Sequence, residues 1–273
     1  MENINFICGG KTGDLIHYSL YIKNICQILN KKAVLHITNN RKFGGYNFTL
    51  TKETTVVDLK KLYQKQSYIE DVKLLDESTI DDKFINMNFW TKSINKQCWG
   101  KFIKKELQLK YNKNFDNSPW ISTNNEFEEL KNKIIIHRSV HRHSKTFPWK
   151  SIIEKNECFF VTCTPKEYDI FPFKSQVKLF LCKDLYELSI TINSSKFFIG
   201  NLSTPSAIAH AMHKPRIFEL ENRWYSQFVG EENFYDNYSY FGDKTYFINP
   251  QINNFINFFV EPTIFENPPK SKY

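Results

Sequence analysis

Lys133-Ile-Ile-Ile-His137 passes without a break into Arg138-Ser-Val-His-Arg-His-Ser-Lys145-Thr-Phe147-Pro148-Trp149, and the reading of that junction decides the fold. Consecutive β-branched residues bounded by polar ones predict a strand buried on both faces. The segment after it is a loop dense in cations, carrying Arg138, Arg142 and Lys145. A second junction has the same form. Phe197-Phe-Ile-Gly-Asn201 leads into Leu202-Ser-Thr204-Pro, a strand that meets a turn opening a helix, and Lys214-Pro215 closes that helix before Arg216-Ile-Phe-Glu219. In an open α/β sheet, ligands bind beyond the carboxyl ends of the strands, and helix N-termini offer unpaired N–H groups to anions. Two strand ends of this kind, one of them basic, imply a phosphate-bearing ligand, with a sugar nucleotide preferred.

Outward from these junctions, the C-terminal half keeps alternating. Strands are predicted at Cys158–Thr162 and Val177–Leu181, and helices at Trp149–Lys155, Pro165–Phe171, Asp184–Asn193 and Thr204–His213. Such alternation predicts a parallel, doubly wound sheet. The N-terminal half opens in the same way. Asn3–Cys8 is apolar, Gly9-Gly-Lys11-Thr-Gly13-Asp14 is a turn, and Leu15–Leu29 carries apolar residues at helical spacing. The turn fits neither the P-loop nor the Gly-x-Gly-x-x-Gly pattern. Asp14 stands where strand hands over to helix, so a capping role and a chemical role are both open. A strand at Ala33–Thr38, a loop or hairpin excursion over Asn39–Thr51, a helix at Glu53–Gln66, a strand at Ile69–Leu75, and helices at Phe84–Ile94 and Gly100–Leu109 follow. Phe89, Trp90, Trp99 and Phe102 read as core in preference to a wall of an acceptor site. Asn117-Ser-Pro-Trp-Ile-Ser-Thr-Asn-Asn125 carries breaker residues and is the expected linker, which gives domains of 1–120 and 121–273. The expected fold class is α/β: two Rossmann-like domains with parallel doubly wound sheets, facing a cleft. The aromatic, Asn-rich tail from Tyr225 is open to packing back on the first domain.

At 273 residues with 41% hydrophobic and 16% aromatic content, the chain is rich enough to build packed cores, which excludes intrinsic disorder. The net charge of +8 suits nucleic acid, an anionic membrane surface or phosphate-rich ligands, and a solvated basic surface explains it as well. Peripheral membrane association is compatible with it. The six cysteines are scattered, and Cys158 and Cys163 are spaced wrongly for a Cys-x-x-Cys site, so buried thiols in a reducing compartment are expected. The N-terminus lacks the pattern of a signal peptide, and no window approaches the roughly 18 apolar residues that span a bilayer. A soluble, cytoplasmic protein is the expectation.

Gly13-Asp14-Leu-Ile-His17 before an apolar helix resembles the N-terminal motif of the heptosyltransferase-like glycosyltransferases, which have the two-domain GT-B fold. Lys145-Thr-Phe147-Pro148 at a helix start resembles that family's Lys-x-Trp-Pro element. Ile199-Gly-Asn201-Leu-Ser-Thr204 to Lys214-Pro215 occupies the place of its Asp-Thr-Gly turn and helix. The resemblance covers most of the chain, and it implies roles. Asp14 would be the general base toward an acceptor hydroxyl, with Lys11, Gly13 and His17 in the loop near the acceptor. Lys145, Arg138 and Arg142 would hold the diphosphate of a nucleotide-sugar donor and neutralise the leaving nucleotide. Ser203 and Thr204 would donate to the same phosphates, Asn201 would stand among these contacts, and Glu219 would accept from a ribose hydroxyl. The resemblance implies an inverting transfer to a glycan or glycolipid, with no cofactor beyond the donor and no metal, since no Asp-x-Asp motif is present. The sequence departs from the family where Asn201 replaces the turn aspartate and where Gly-x-x-His is missing.

Other readings of the same residues stand beside this one. His137, His141 and His143 have a spacing open to metal binding but no nearby carboxylates. The basic loop also reads, less readily, as a solvated turn. A non-catalytic nucleic-acid- or glycan-binding protein fits the charge and the aromatics, but no nucleic-acid recognition signature occurs, so no nucleic acid is expected as a partner. An epimerase acting on a nucleotide sugar would use the same fold. Oligomeric state is not readable from the sequence.

Overall fold

Continuous apolar runs dictate where the strands lie. The computed structural model describes residues 3–43, 52–87, 99–113, 116–145, 147–220, 238–241 and 246–247. The chain divides into two units, Met1–Ser122 and Thr123–Tyr273.

The first unit contains β1 (Ile4–Cys8), α1 (Thr12–Leu29), β2 (Ala33–Ile37), α2 (Lys52–Tyr63), β3 (Ile69–Leu74), β4 (Ile85–Asn86) and α3 (Trp99–Tyr111). Its sheet has the order β3-β2-β1-β4, and every pairing is parallel. Each residue of β2 is buried, which explains why Ala33-Val-Leu-His-Ile37 shows no alternation. Helix α1 is buried from Leu15 to Cys26 and ends on Asn30 at φ 50°, the left-handed conformation that asparagine tolerates.

One expectation is corrected here. Ile85–Asn86 is a strand and not part of a helix over Phe84–Ile94, because it pairs with β1 at Phe6 and Ile7, and Met87 donates to the Ile7 carbonyl at 3.0 Å. A strand this short has no period for a pattern to reveal. Residues 88–94, with Phe89 and Trp90, lie outside the described residues, as do the side chains of Trp99 and Phe102. The two units divide after Ser122, within the expected linker, whose first half is strapped to α1 and to the turn after α2. Trp120 is buried, donating its indole N–H to the Ile16 carbonyl at 2.6 Å and accepting at its own carbonyl from the Tyr68 hydroxyl at 2.8 Å. The Lys23 ammonium pairs with Asp116 at 3.0 Å and donates to the Ser118 and Pro119 carbonyls. Gln66 closes the strap by accepting from Ser122 N–H and donating to its carbonyl.

The second unit contains β5 (Ile134–His137), α4 (Trp149–Lys155), β6 (Cys158–Thr162), α5 (Pro165–Asp169), β7 (Lys178–Leu181), α6 (Leu185–Ser194), β8 (Phe197–Asn201), α7 (Thr204–Ala211), β9 (Arg216–Glu219), β10 (Tyr238–Phe241) and β11 (Tyr246–Phe247). The sheet order is β11-β10-β9-β8-β5-β6-β7, parallel except for β11. The described part of the tail thus extends the second sheet. Under the cation-rich loop the core is aromatic. Phe147 packs at a tilt of 48° against Trp149 with 4.7 Å between centroids, and Trp149 meets Phe171 edge-on at 5.5 Å. Cys8, Cys26, Cys158 and Cys182 are buried thiols, and burial pushes the first three up to about 12 and Cys182 to about 11. Cys163 is exposed, and Cys98 lies outside the described residues. Among the described residues, no helix is long and apolar enough to cross a membrane.

Candidate functional site

Each sheet has one topological switch point. In the first unit the chain leaves β1 toward β2 and β3 and returns on the other side as β4. In the second it leaves β5 toward β6 and β7 and returns as β8. The crevice at such a point, beyond the carboxyl ends of the strands, is where open α/β sheets bind ligands. The junction of β1 with the first turn of α1 carries Gly10–Asp14, and the loops after β5 and β8 carry 138–147 and 202–203. Topology therefore brings the sequence-predicted residues to these crevices, unit by unit.

At the first crevice Asp14 lies in the opening turn of α1, half-buried, and one carboxylate oxygen accepts from Lys11 N–H at 3.1 Å. The capping role is therefore occupied by that oxygen. Gly10 has φ 91°, and a Cβ there would come within 3.4 Å of Asp14 Cβ and 3.5 Å of its Oδ2. Those are ordinary contacts, so it is the positive φ, which glycine adopts without strain, that calls for glycine in this turn. The Tyr18 hydroxyl ties the turn down by donating to the Gly9 carbonyl at 2.8 Å. Lys11 is exposed, Gly13 half-buried, and His17 buried one turn beyond Asp14. On the same sheet edge, a cavity of about 330 Å³ opens beyond β2 and β3, offering Thr38, Asn39, Asn40 and Glu77. Asn40 donates to Glu77 at 2.6 Å. Sequence reasoning missed this recess, because its residues are scattered polar positions in two different loops.

At the second crevice the expected phosphate contacts separate into two groups. Lys145 is exposed and Arg142 half-buried in the left-handed region at φ 64°, with its guanidinium 3.4 Å from the Leu202 carbonyl. Ser203 and Thr204 are half-buried at the start of α7, where Ser203 N–H donates to Ser206 Oγ at 2.8 Å. The other group faces inward. Glu219 is buried at the end of β9 and accepts from Arg138 Nε at 3.0 and 3.2 Å, Arg138 Nη2 at 2.7 Å, Ser144 N–H at 2.9 Å and Trp149 Nε1–H at 3.2 Å. Asn201 is buried at the end of β8; its oxygen accepts from Ser139 N–H at 2.9 Å, and its amide donates to Ser139 Oγ at 3.1 Å and to the His141 carbonyl. The Glu219 oxygens expected to meet a ribose are thus taken up by the protein, and so is the Arg138 guanidinium expected to meet phosphate.

The three histidines of the basic stretch do different things. His137 is buried at the end of β5 and donates from Nδ1 to the Val161 carbonyl at 2.8 Å, with Nε2 3.9 Å from Glu167. Burial holds its pKa below the usual imidazole value, and the charge on Glu167 opposes that. His143 lies on the surface of the loop, its Nε2 2.6 Å from the Ser139 carbonyl. Among the described residues, no group of three His, Cys, Asp or Glu side chains comes together as a metal site.

Neither a protein-family model nor a curated protein matches the sequence. Solved structures do match the fold. The heptosyltransferase WaaC of E. coli with ADP aligns at TM-score 0.58 and 9% identity over 88% of this chain and 93% of that one. A glycosyl transferase family 9 protein from Veillonella parvula aligns at TM-score 0.55 and 11% identity over 88% and 86%. The iron-containing dodecameric glycosyltransferase TibC from enterotoxigenic E. coli aligns at TM-score 0.50 and 11% identity over 78% of this chain and 56% of that one. With two parallel α/β sheets built around switch-point loops, the chain has the GT-B fold that these glycosyltransferases share.

Proposed function

We propose that the protein is an inverting, metal-independent glycosyltransferase that moves a sugar from a nucleoside diphosphate sugar to a hydroxyl of a glycan or glycolipid. The observation that carries this reading is the pairing of chemistries at the two switch points. One presents a carboxylate, Asp14, at the lip of its sheet, and the other presents Arg142, Lys145 and the start of α7. In the proposed step the acceptor oxygen attacks the anomeric carbon and its proton passes to Asp14. The bond from that carbon to the diphosphate oxygen breaks, and the electron pair leaves with the nucleoside diphosphate. Charge growing on the leaving group is met by Lys145 and Arg142, with Ser203 and Thr204 donating hydrogen bonds, so that this electrostatic help comes from side chains. The polar recess at Asn39, Asn40 and Glu77 suits the hydroxyls of an acceptor sugar.

A thermal-shift series with ADP, UDP, GDP and CDP tests the donor side, since a ligand that binds only the folded state raises Tm. One nucleotide is expected to stabilise the protein, and Lys145→Ala is expected to remove most of that shift. No shift with any of the four, together with salt-sensitive retention on nucleic acid, would sink the reading in favour of a nucleic-acid-binding protein.

A further inference from the structure

We infer that Asn201 and Glu219 are positioning residues that fix the loop 138–145 in its anion-receiving shape from within the sheet. The ligand this concerns, a nucleoside diphosphate, rests on the proposed transferase reading. The two residues face each other in register across β8 and β9, so both side chains reach the loop from one edge. They divide it between them. Asn201 takes the outward limb, at Ser139 and His141. Glu219 takes the two ends, at Arg138 and Ser144, together with the first residue of α4, Trp149.

The chemistry of each clamp is specific. Asn201 accepts from an N–H and donates to a carbonyl at once, which an amide does and an ionised carboxylate of the same shape does not. An aspartate there would turn an oxygen toward the His141 carbonyl. Glu219 receives N–H donors at both oxygens, so a glutamine would turn its own NH₂ toward one of them. Between the clamped points Arg142 adopts its left-handed backbone, and just beyond them Lys145 reaches solvent. Arg138, whose guanidinium is spread over the Glu219 carboxylate, serves as a strut of the loop. Contact with phosphate falls to Arg142 and Lys145. Sheet register thereby sets the geometry of cations that the sequence shows only as a basic run.

The test uses the full chain, calorimetric titration with ADP and with UDP, and amide hydrogen exchange followed on peptides spanning 138–147. Asn201→Asp is expected to weaken whichever nucleotide binds the wild type by about tenfold, the scale of one unsatisfied buried group. Exchange in 138–147 should quicken while the remaining strands of the second unit keep their protection. Glu219→Gln should act in the same direction. If it fails to fold because Arg138 loses its partner, Asn201→Asp alone decides. A role confined to stability would lower Tm and leave the affinity of the folded protein unchanged. Affinity within about twofold of wild type, with unaltered exchange at 138–147, overturns the inference and leaves the transferase reading standing. If the wild type binds neither nucleotide, GDP and CDP are titrated in their place; binding of none of the four while exchange still quickens in the variant sinks the transferase reading, and the ligand assigned to the loop falls with it.

Discussion

Gly200→Ala tests whether the second crevice depends on close approach of two strands. Gly200 lies opposite His137 in the β5–β8 ladder, one residue before Asn201. A Cβ at this position would stand 2.8 Å from the His137 carbonyl oxygen and 2.9 and 3.0 Å from atoms of the Phe198 ring. Two effects oppose each other. Alanine restricts the unfolded chain, which stabilises by about 0.4–1 kcal/mol. Overpacking a buried site costs about 1–3 kcal/mol. The second should win, because the nearest atom is backbone oxygen held in a parallel ladder and cannot swing aside like a flexible side chain. The expected net loss is about 1–2 kcal/mol. At roughly 2–4 °C per kcal/mol for chains near this size, Tm should fall by about 2–8 °C. The urea midpoint should drop with the slope unchanged, and the nucleotide-induced thermal shift should shrink because the ladder opens directly beneath the loop. A variant as stable as the wild type, with its nucleotide response intact, would refute the reasoning.

Three further outcomes are expected. Asp14→Asn should lower turnover by about 10²–10⁴-fold while the donor still binds, as removal of a general base does; steady-state kinetics beside calorimetry separates the two, and unchanged turnover would exclude the base role. Acid should destabilise the protein from about pH 6.5 downward. Burial, with help from Lys73, pulls His36 down to about 4, and burial lowers His137 as well. Since both folded values lie below the unfolded one, protons bind the unfolded chain more tightly, so stability is full above the unfolded value and drains as pH falls toward 4. Urea midpoints at several pH values check the slope, which His36→Gln should flatten. Trp120→Phe removes the indole donor to the Ile16 carbonyl and should destabilise the first unit by about 1–3 kcal/mol, read as a lower urea midpoint.

What could be read in the sequence follows a physical divide. Strands buried on both faces, such as Ile134–His137 and Phe197–Asn201, announce themselves as apolar runs, and the loops at their ends follow directly. The resemblance carried by Gly13-Asp14 and Lys145-Thr-Phe147-Pro148 reaches the same fold. β4 stayed hidden because two residues carry no period and its partner β1 is far away in sequence. The inward roles of Asn201 and Glu219 depend on the register between β8 and β9, a long-range quantity that no local pattern encodes. One signal was present. A glutamate closing an apolar strand, Arg216-Ile-Phe-Glu219 with Leu220 after it, demands buried partners, and a loop rich in N–H donors was available to provide them.

The strap from Asp116 to Ser122 also bears on how this chain could be taken apart and rejoined. A fusion that exchanged the second half for another, cut at the proline-containing Asn117-Ser-Pro stretch where the sequence looks most breakable, would carry Trp120 away. The Ile16 carbonyl and Gln66 would be left without the groups that now satisfy them, and the Lys23 ammonium would keep Asp116 but lose the Pro119 carbonyl. A joint placed after Ser122 leaves the first half its own closure. For recombination, natural or engineered, the tolerant seam is the peptide bond after the last of those anchors, and the stretch before it, with Trp120 and Ile121 buried, belongs to the first half.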